Sequence, residues 1–147
     1  MSLDKRQLER QLDLLKEQHE LLKQWQSIPK EEFLKDPMKN RAVLHTLQLA
    51  IEGCINIGNQ IVSQLKLGKP KEYVEVIELL AQHKVIERAF ANELKKMVRF
   101  RNRIVHIYWD IDLEEVYKIF QERIDDFERF EKAVLHFVAQ QDQAEGE

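Results

Sequence analysis

The sequence predicts an all-α protein, an antiparallel bundle of about five helices forming one domain over residues 1–147. Only 4 Gly and 3 Pro interrupt the 147 residues, and so few helix breakers leave long uninterrupted segments. Within those segments the apolar residues recur every three or four positions, which is the spacing of one helix face, and no segment is typical of a strand.

The first predicted helix covers residues 4–26 and ends at Ser27-Ile28-Pro29. One face carries leucines at helical spacing, and His19 completes it, so we interpret this histidine as a partly buried structural residue. The leucines of this face are Leu8, Leu12, Leu15 and Leu22.

The second predicted helix begins at Asp36-Pro37, where Asp can cap the free N–H groups and Pro is tolerated in the first turn. It is apolar on more than one face, which predicts a central position, with Cys54 as a small core residue and His45 as partly buried. Gly53 and Gly58 are either weak points or places where another helix comes close. Leu67-Gly68-Lys69-Pro70 ends the helix.

The third predicted helix begins near Lys71 and turns at Gln82-His83-Lys84. The fourth runs from about Glu87 toward Phe100. The last predicted helix begins at Asp112, which forms a capping box with Glu115 next to a hydrophobic staple of Ile111 and Val116. Its long stripe of phenylalanines exceeds what one bundle covers, so we expect a symmetric homodimer to bury the surplus, and we expect the polar tail 140–147 to be frayed.

Composition restricts the function classes. A formal net charge of −3 excludes a globally basic coat for nucleic acid, although not a local basic patch. The single cysteine excludes an internal disulfide and a Cys-based zinc site, and the five histidines are widely separated along the chain, so we expect neither a metal nor another cofactor. The chain shows no signal-peptide pattern and no membrane span, which predicts a cytoplasmic protein without a membrane partner.

One segment concentrates positive charge. Residues 95–103 contain five cations and no acid: Lys95, Lys96, Arg99, Arg101 and Arg103. Such a segment can contact several phosphates of a nucleic acid. The alternative is a solvated helix face whose charge is balanced by the acidic last helix.

The basic segment runs into the string Arg101-Asn102-Arg103-Ile104-Val105-His106-Ile107-Tyr108. The Arg-x4-His pattern alone is weak, but the longer string is far more specific. On this string and on residues 47–58 the chain resembles the HepT-like group of HEPN-domain ribonuclease toxins, which are encoded beside a minimal nucleotidyltransferase antitoxin. The resemblance covers about residues 40–125, and Asn56 stands where the group often has Asp.

The resemblance implies a metal-independent endoribonuclease toxin of a type VII-like pair, in which the RNA 2′-hydroxyl attacks the adjacent phosphate. His106 suits the proton transfer because its unperturbed pKa lies near ~6.5. Arg101 suits the transition-state charge because its planar fork binds phosphate. Asn102 and Tyr108 are the supporting residues, and the remaining cations of the basic segment are expected to guide RNA: Lys95, Lys96, Arg99 and Arg103.

Helix geometry adds a constraint. At ~100° per residue, Arg101 and His106 lie about 140° apart and do not share a face, whereas Asn102 and His106 do. Therefore either the helix ends between Arg101 and His106, or two subunits complete one site. The resemblance implies the second arrangement, a cleft between the motifs of two protomers, with Asn102 orienting His106 or the scissile phosphate.

Several neighbouring residues have two interpretations. Tyr108 is expected to contact RNA or to accept AMP from the antitoxin, as the resemblance implies, or else to cap the core. Glu52 either points toward the site or forms a salt bridge with an Arg or Lys. Trp109 either stacks on a base or packs in the core or a dimer interface.

The alternative function is a non-catalytic HEPN-like dimer that binds nucleotide or RNA, or that scaffolds a nucleotidyltransferase. The pair of Arg101 and His106 favours the ribonuclease, because a scaffold needs no general base beside a phosphate-binding arginine. A purely structural bundle would make the basic segment and the motif coincidental.

Overall fold

The computed structural model of the chain describes residues 3–146. Within them it contains seven α-helices, one 3₁₀ turn and no strand. This confirms the all-α prediction, although the number of helices is seven rather than about five. The elements are α1 (Lys5–Trp25), α2 (Lys30–Lys35), α3 (Pro37–Gln64), α4 (Tyr73–Gln82), α5 (Arg88–His106), the 3₁₀ turn (Tyr108–Asp110), α6 (Leu113–Glu122) and α7 (Asp125–Gly146).

Helix α3 is the centre of the bundle, as predicted, and packs against each of the other six helices. Its start is the predicted one: the Asp36 carboxylate accepts a hydrogen bond from the Met38 N–H (3.0 Å), and Pro37 occupies the first turn. Neighbouring helices come close to α3 at the two glycines. A Cβ on Gly53 would lie 3.5 Å from Leu15 of α1.

A Cβ on Gly58 would lie 3.0 Å from side-chain carbons of both Val76 and Leu80 of α4. The interpretation of these glycines as places of close helix approach is therefore confirmed. Cys54 is buried, and burial raises the pKa of its thiol, in keeping with the predicted role in the core. His19 is buried as expected, but His45 is exposed, so its predicted burial is wrong.

The structure differs from the prediction in one additional helix and in one helix that is divided into two. The six-residue α2 follows Pro29 and buries Phe33, and one helical turn and a half is too short for a periodic signal. The last predicted helix is broken after Arg123, where α6 ends and α7 begins. The apolar spacing continues across this break because Ile124 is itself buried, so the sequence pattern does not reveal it.

Helix α7 packs against α1 and continues to residue 146, where we expected a frayed tail; residue 147 lies outside the described residues. Its phenylalanines, and that of α6, are covered within one chain. Phe120, Phe127 and Phe130 are fully buried, and Phe137 is 8% exposed. The apolar surplus that suggested a symmetric homodimer is therefore absent from this part of the chain, and the homodimer stays a prediction.

Across the described residues, the helices are too short or too polar to cross a membrane.

Candidate active site

The motif lies at the C-terminal end of α5. The helix includes Arg101, Asn102 and His106, and it ends where Ile107 leaves helical geometry while its N–H still donates to the Arg103 carbonyl (2.8 Å). Of the two arrangements considered, a helix end between Arg101 and His106 is therefore excluded, and a site completed by two subunits stays a prediction. The 3₁₀ turn that follows carries Tyr108 out of the helical register of α5.

Arg101 and His106 nevertheless border one groove within a single chain. Asn102 lies between them, and the opposite wall comes from residues 71–74, which join the α3–α4 loop to the start of α4. The groove is open to solvent and has a volume of about 450 Å³. Arg101 reaches it because its long side chain extends along the Tyr73 ring, whose centroid lies 5.1 Å from the guanidinium carbon.

The Arg101 guanidinium is held by three protein contacts. Its Nε and Nη2 both donate to Oε1 of Glu52, at 3.1 and 2.9 Å, and its Nη1 donates to Oδ1 of Asn102 at 3.2 Å. An arginine has five N–H donors, so two remain for a ligand. With only 14% of its side chain exposed, this arginine is fixed in orientation, and its two remaining donors suit a phosphate.

Glu52 extends from α3 and is itself fixed by Gln48, whose Nε2 donates to the same Oε1 at 3.1 Å. Both interpretations of Glu52 are therefore correct: it forms a salt bridge, and its partner is the arginine of the motif. The sequence could not indicate this pairing, because 49 positions separate the two residues.

Asn102 contacts Arg101 rather than His106, contrary to one expected role. His106 is exposed and has neither a hydrogen-bond nor an ion-pair partner among the described residues. The residue is therefore accessible to a ligand in the groove.

Tyr108 and Trp109 lie beyond the helix end and are 70% and 72% exposed. Their rings contact each other edge to face, with centroids 5.4 Å apart, and neither residue is among those that line the groove. In a single chain neither residue serves the core, so the interpretation of Tyr108 as a core cap is wrong.

The basic segment is largely neutralised by the chain's own acids. Lys95 is paired with Glu78, and Lys96 with Glu93 at 3.2 Å. Arg99 is exposed and has no carboxylate partner among the described residues.

Arg103 forms a bidentate ion pair with Glu115, in which Nη1 of Arg103 donates to Oε2 of Glu115 at 3.0 Å. This pairing raises the pKa of Arg103. Glu115 is consequently not the second half of a capping box. The Asp112 carboxylate does cap α6, accepting from the Glu114 N–H at 2.9 Å.

Sequence reasoning missed the second wall of the groove. Lys71 and Tyr73 lie at the end of a loop that we interpreted only as a helix terminator, and they are about 30 positions from the motif. A tyrosine at a helix start, two positions after a lysine, is not a specific signal. Within the described residues, no cluster of three or more His, Cys, Asp or Glu side chains could hold a metal ion.

The sequence of the chain is similar to those of known proteins. A family model described as ribonuclease HepT-like matches residues 15–134. The chain is 37% identical over 99 residues to the mRNA nuclease HepT of Shewanella oneidensis, covering 67% of this chain and 74% of that protein. It is 28% identical over 110 residues to the tRNA nuclease HepT of Aphanizomenon flos-aquae, covering 75% of each chain.

Solved structures show the same architecture. The tri-AMPylated HEPN toxin of S. oneidensis, in complex with its MNT antitoxin, superposes with a TM-score of 0.81 at 30% identity, over 88% of this chain and 96% of that one. A cytosolic Bacillus subtilis protein of unknown function, YutE, shares the fold with a TM-score of 0.84 at 20% identity, over 95% and 93% of the two chains.

Proposed function

The chain belongs to the family of HepT-like ribonucleases, and from this premise we propose that it is the toxin of a toxin–antitoxin pair that cuts RNA at the groove of Arg101 and His106. The observation that carries the proposal is the arrangement of these two side chains. An arginine with two unused N–H donors and an accessible imidazole border the same open groove.

The proposed reaction needs no metal ion. The His106 imidazole takes the proton of a ribose 2′-hydroxyl, and the 2′-oxygen attacks the adjacent phosphorus. The bond from phosphorus to the 5′-oxygen of the next nucleotide breaks, and that oxygen takes a proton from the solvent, to which the groove is open. The products are a 2′,3′-cyclic phosphate and a 5′-hydroxyl. The fixed guanidinium of Arg101 stabilises the negative charge that builds on the phosphate oxygens.

Asn102 positions Arg101 in this scheme, since its side-chain oxygen binds Nη1 of the guanidinium. For the approach of RNA we propose the basic segment of α5, namely Lys95, Lys96, Arg99 and Arg103. Arg99 is free to bind a phosphate, whereas the others exchange a carboxylate for a phosphate. Exposed ion pairs contribute only about 0–1 kcal/mol to stability, so the free-energy cost of this exchange is small for Lys96 and Arg103.

The proposed partner is a nucleotidyltransferase antitoxin that attaches AMP to Tyr108. Support comes from the 70% exposure of this tyrosine and from the AMPylated state of the S. oneidensis toxin in its complex. AMP attached beside the groove adds negative charge and bulk near the path of the RNA, so cleavage is blocked.

A transfer assay tests this partner. The antitoxin encoded beside the gene, supplied with ATP, is expected to increase the mass of the wild-type chain by AMP and to leave a Tyr108→Phe variant unmodified. A Tyr117→Phe variant, changed at a half-buried tyrosine whose hydroxyl donates to the Ile28 carbonyl, serves as the control and stays modifiable. Equal modification of both variants would place the acceptor elsewhere.

We further propose that the protein acts as a homodimer in the cytoplasm. The exposed apolar side chains on both sides of His106 offer a contact surface for a second copy. They are Val105, Ile107, Tyr108 and Trp109. The cytoplasmic assignment is supported by a single cysteine that is buried and by the cytosolic description of the B. subtilis structural neighbour.

The direct test of the chemistry is cleavage of single-stranded RNA by the purified chain in EDTA, followed by analysis of the product ends. The proposal predicts cleavage that EDTA does not affect and products with 2′,3′-cyclic phosphate and 5′-hydroxyl ends. Cleavage that EDTA abolishes, or products with a 3′-hydroxyl, would contradict it. RNA binding without cleavage by unmodified protein of confirmed mass would favour the non-catalytic alternative.

A further inference from the structure

The α3–α4 loop, residues 65–72, carries three lysines and one acid, Glu72, which gives it a net positive charge. Lys66, Lys69 and Lys71 are exposed, and none has a carboxylate partner among the described residues. No acid lies between Lys66 and Lys71 in the sequence. In the basic segment of α5, by contrast, four of the five cations contact a carboxylate of the same chain.

The loop is held in one conformation by its apolar residues. The half-buried Leu67 packs against the core, and its N–H donates to the Val62 carbonyl at 2.9 Å. The next residue, Gly68, lies so close to Leu79 that a Cβ would be 2.8 Å from a methyl carbon of that side chain. Lys66 itself adopts a left-handed backbone, with φ of 54°. The lysines therefore project from a docked segment, which reduces the entropy lost on binding a ligand.

The loop leads directly into the groove. Lys71 and Tyr73 form part of the wall that faces Arg101 and His106, and the Lys71 N–H donates to Oε2 of Glu75 at 2.8 Å, which fixes the backbone where the loop joins α4. A polyanion bound along the loop therefore continues into the place where the proposed reaction occurs.

We propose that Lys66, Lys69 and Lys71 form a binding surface for the phosphates of single-stranded RNA that extends from the groove. The inference rests on the proposed function in that RNA is the ligand, and it adds a second element to the RNA path. Unpaired lysines contribute more to this path than paired ones, because a phosphate binds them without displacing a carboxylate.

The test is an RNA-binding measurement in a His106→Ala background, where the proposed chemistry is blocked and the RNA stays intact. The loop variant combines Lys66→Gln, Lys69→Gln and Lys71→Gln, and a fluorescent single-stranded RNA reports its Kd over a range of salt concentrations. Each phosphate contact with a single strand contributes about 0.7 to the slope of log K against log salt, so the slope should become shallower by about 2. Affinity near 0.1 M salt should fall by about tenfold or more.

The matched control removes the same charge elsewhere, by changing Lys16, Lys23 and Lys30 to Gln. These lysines are also exposed and form no ion pair within 4 Å among the described residues, and they lie on α1 and α2, which do not line the groove. Its Kd and slope should match those of the His106→Ala parent. An unchanged slope in the loop variant, or equal losses in both triple variants, would overturn the proposal.

Cleavage by the wild-type chain, measured separately, distinguishes failure of the loop proposal from failure of the proposed reaction. If the wild type cuts RNA and the loop variant, with His106 restored, has an unchanged KM, the loop proposal fails and the proposed function stands. If the wild type does not cut but the loop variant loses RNA affinity, the proposed reaction fails while the loop proposal stands. Circular dichroism of both triple variants establishes that the substitutions leave the fold intact.

Discussion

At the scale of single residues, the state of Arg101 is central. Free arginine side chains sample many rotamers, whereas this one is held by Glu52, Asn102 and Tyr73 before any ligand arrives. A guanidinium fixed in this way needs no reorganisation when charge builds on a phosphate, which is the condition under which electrostatic stabilisation is most effective. Glu52 therefore acts on the reaction through Arg101.

Replacing Glu52 tests this dependence. A Glu52→Gln variant removes the charge that holds the guanidinium and should lower kcat by about 10- to 100-fold, because a catalytic group that is misplaced by about 1 Å can lose up to about 100-fold in rate. In an Arg101→Ala background the same replacement should have no further effect, since the group through which it acts is gone. Single-turnover cleavage by the four proteins of this cycle measures the coupling.

The control for this cycle is Glu87→Gln. Glu87 pairs with Arg129 at 3.5 Å and does not line the groove, so its loss should leave kcat unchanged. Additive effects of the Glu52 and Arg101 substitutions would show that Glu52 acts on the reaction independently of Arg101.

At the scale of helices, the groove depends on how α4 is held against α5. Glu78 of α4 accepts hydrogen bonds from Arg88 at 2.6 and 2.9 Å and is also paired with Lys95, both of α5. These hydrogen bonds, led by those from Arg88, lower the pKa of Glu78 from 4.5 to about 2. A carboxyl group whose pKa is lowered in the folded state stabilises the fold above its ordinary pKa, and this contribution is lost as the pH falls toward the folded value.

A Glu78→Gln variant should therefore have a lower Tm than the wild type at pH 7, and the difference should shrink as the pH falls from about 4.5 to about 2. Thermal unfolding followed by circular dichroism over this range measures it. Glu122→Gln, at an exposed glutamate with no partner among the described residues, is the control and should match the wild type throughout. A Tm difference that is constant with pH would contradict the role given to Glu78.

The helices also show which features a sequence reveals. The starts of α1, α3 and α6 were predictable because an aspartate stands before each and accepts a hydrogen bond from a backbone N–H of the first turn. The break between α6 and α7 was not, because the buried Ile124 continues the apolar pattern through it. A local pattern records which side chains face the core and not how the backbone is connected.

The same limit applies to the site. Arg101 and His106 were found because they lie within one short string, which carries the resemblance to the family. Glu52, Lys71 and Tyr73 lie 28 or more positions from Arg101, and only the packing of α3 and α4 against α5 brings them to it. Likewise, the neutralisation of Lys95 and Arg103 depends on acids of α4 and α6, which a charge pattern along one segment does not show.

At the scale of the whole molecule, the exposed apolar side chains on both sides of His106 are the best candidate for a contact between two copies. Trp109 is 72% exposed, and three further exposed apolar side chains are within four positions of it. Exposed apolar patches of this kind mark interaction surfaces. Their position next to His106 means that a second copy bound there would border the groove.

Sedimentation at micromolar concentration should give twice the chain mass of 17.6 kDa for the wild type and the single mass for Trp109→Arg. Leu135→Arg is the matched control, since Leu135 is a 52% exposed leucine on α7 and its variant should remain dimeric. A monomeric wild type, or dissociation of both variants, would contradict the proposed interface.

The central claim is that His106, in the groove it shares with Arg101, is the general base of RNA cleavage. The most direct measurement is the single-turnover rate of His106→Ala beside that of His83→Ala, an exposed histidine at the opposite end of α4 from the groove. The account predicts a loss of about 10²- to 10⁴-fold for His106→Ala and no change for His83→Ala. Equal rates for the two variants would contradict it.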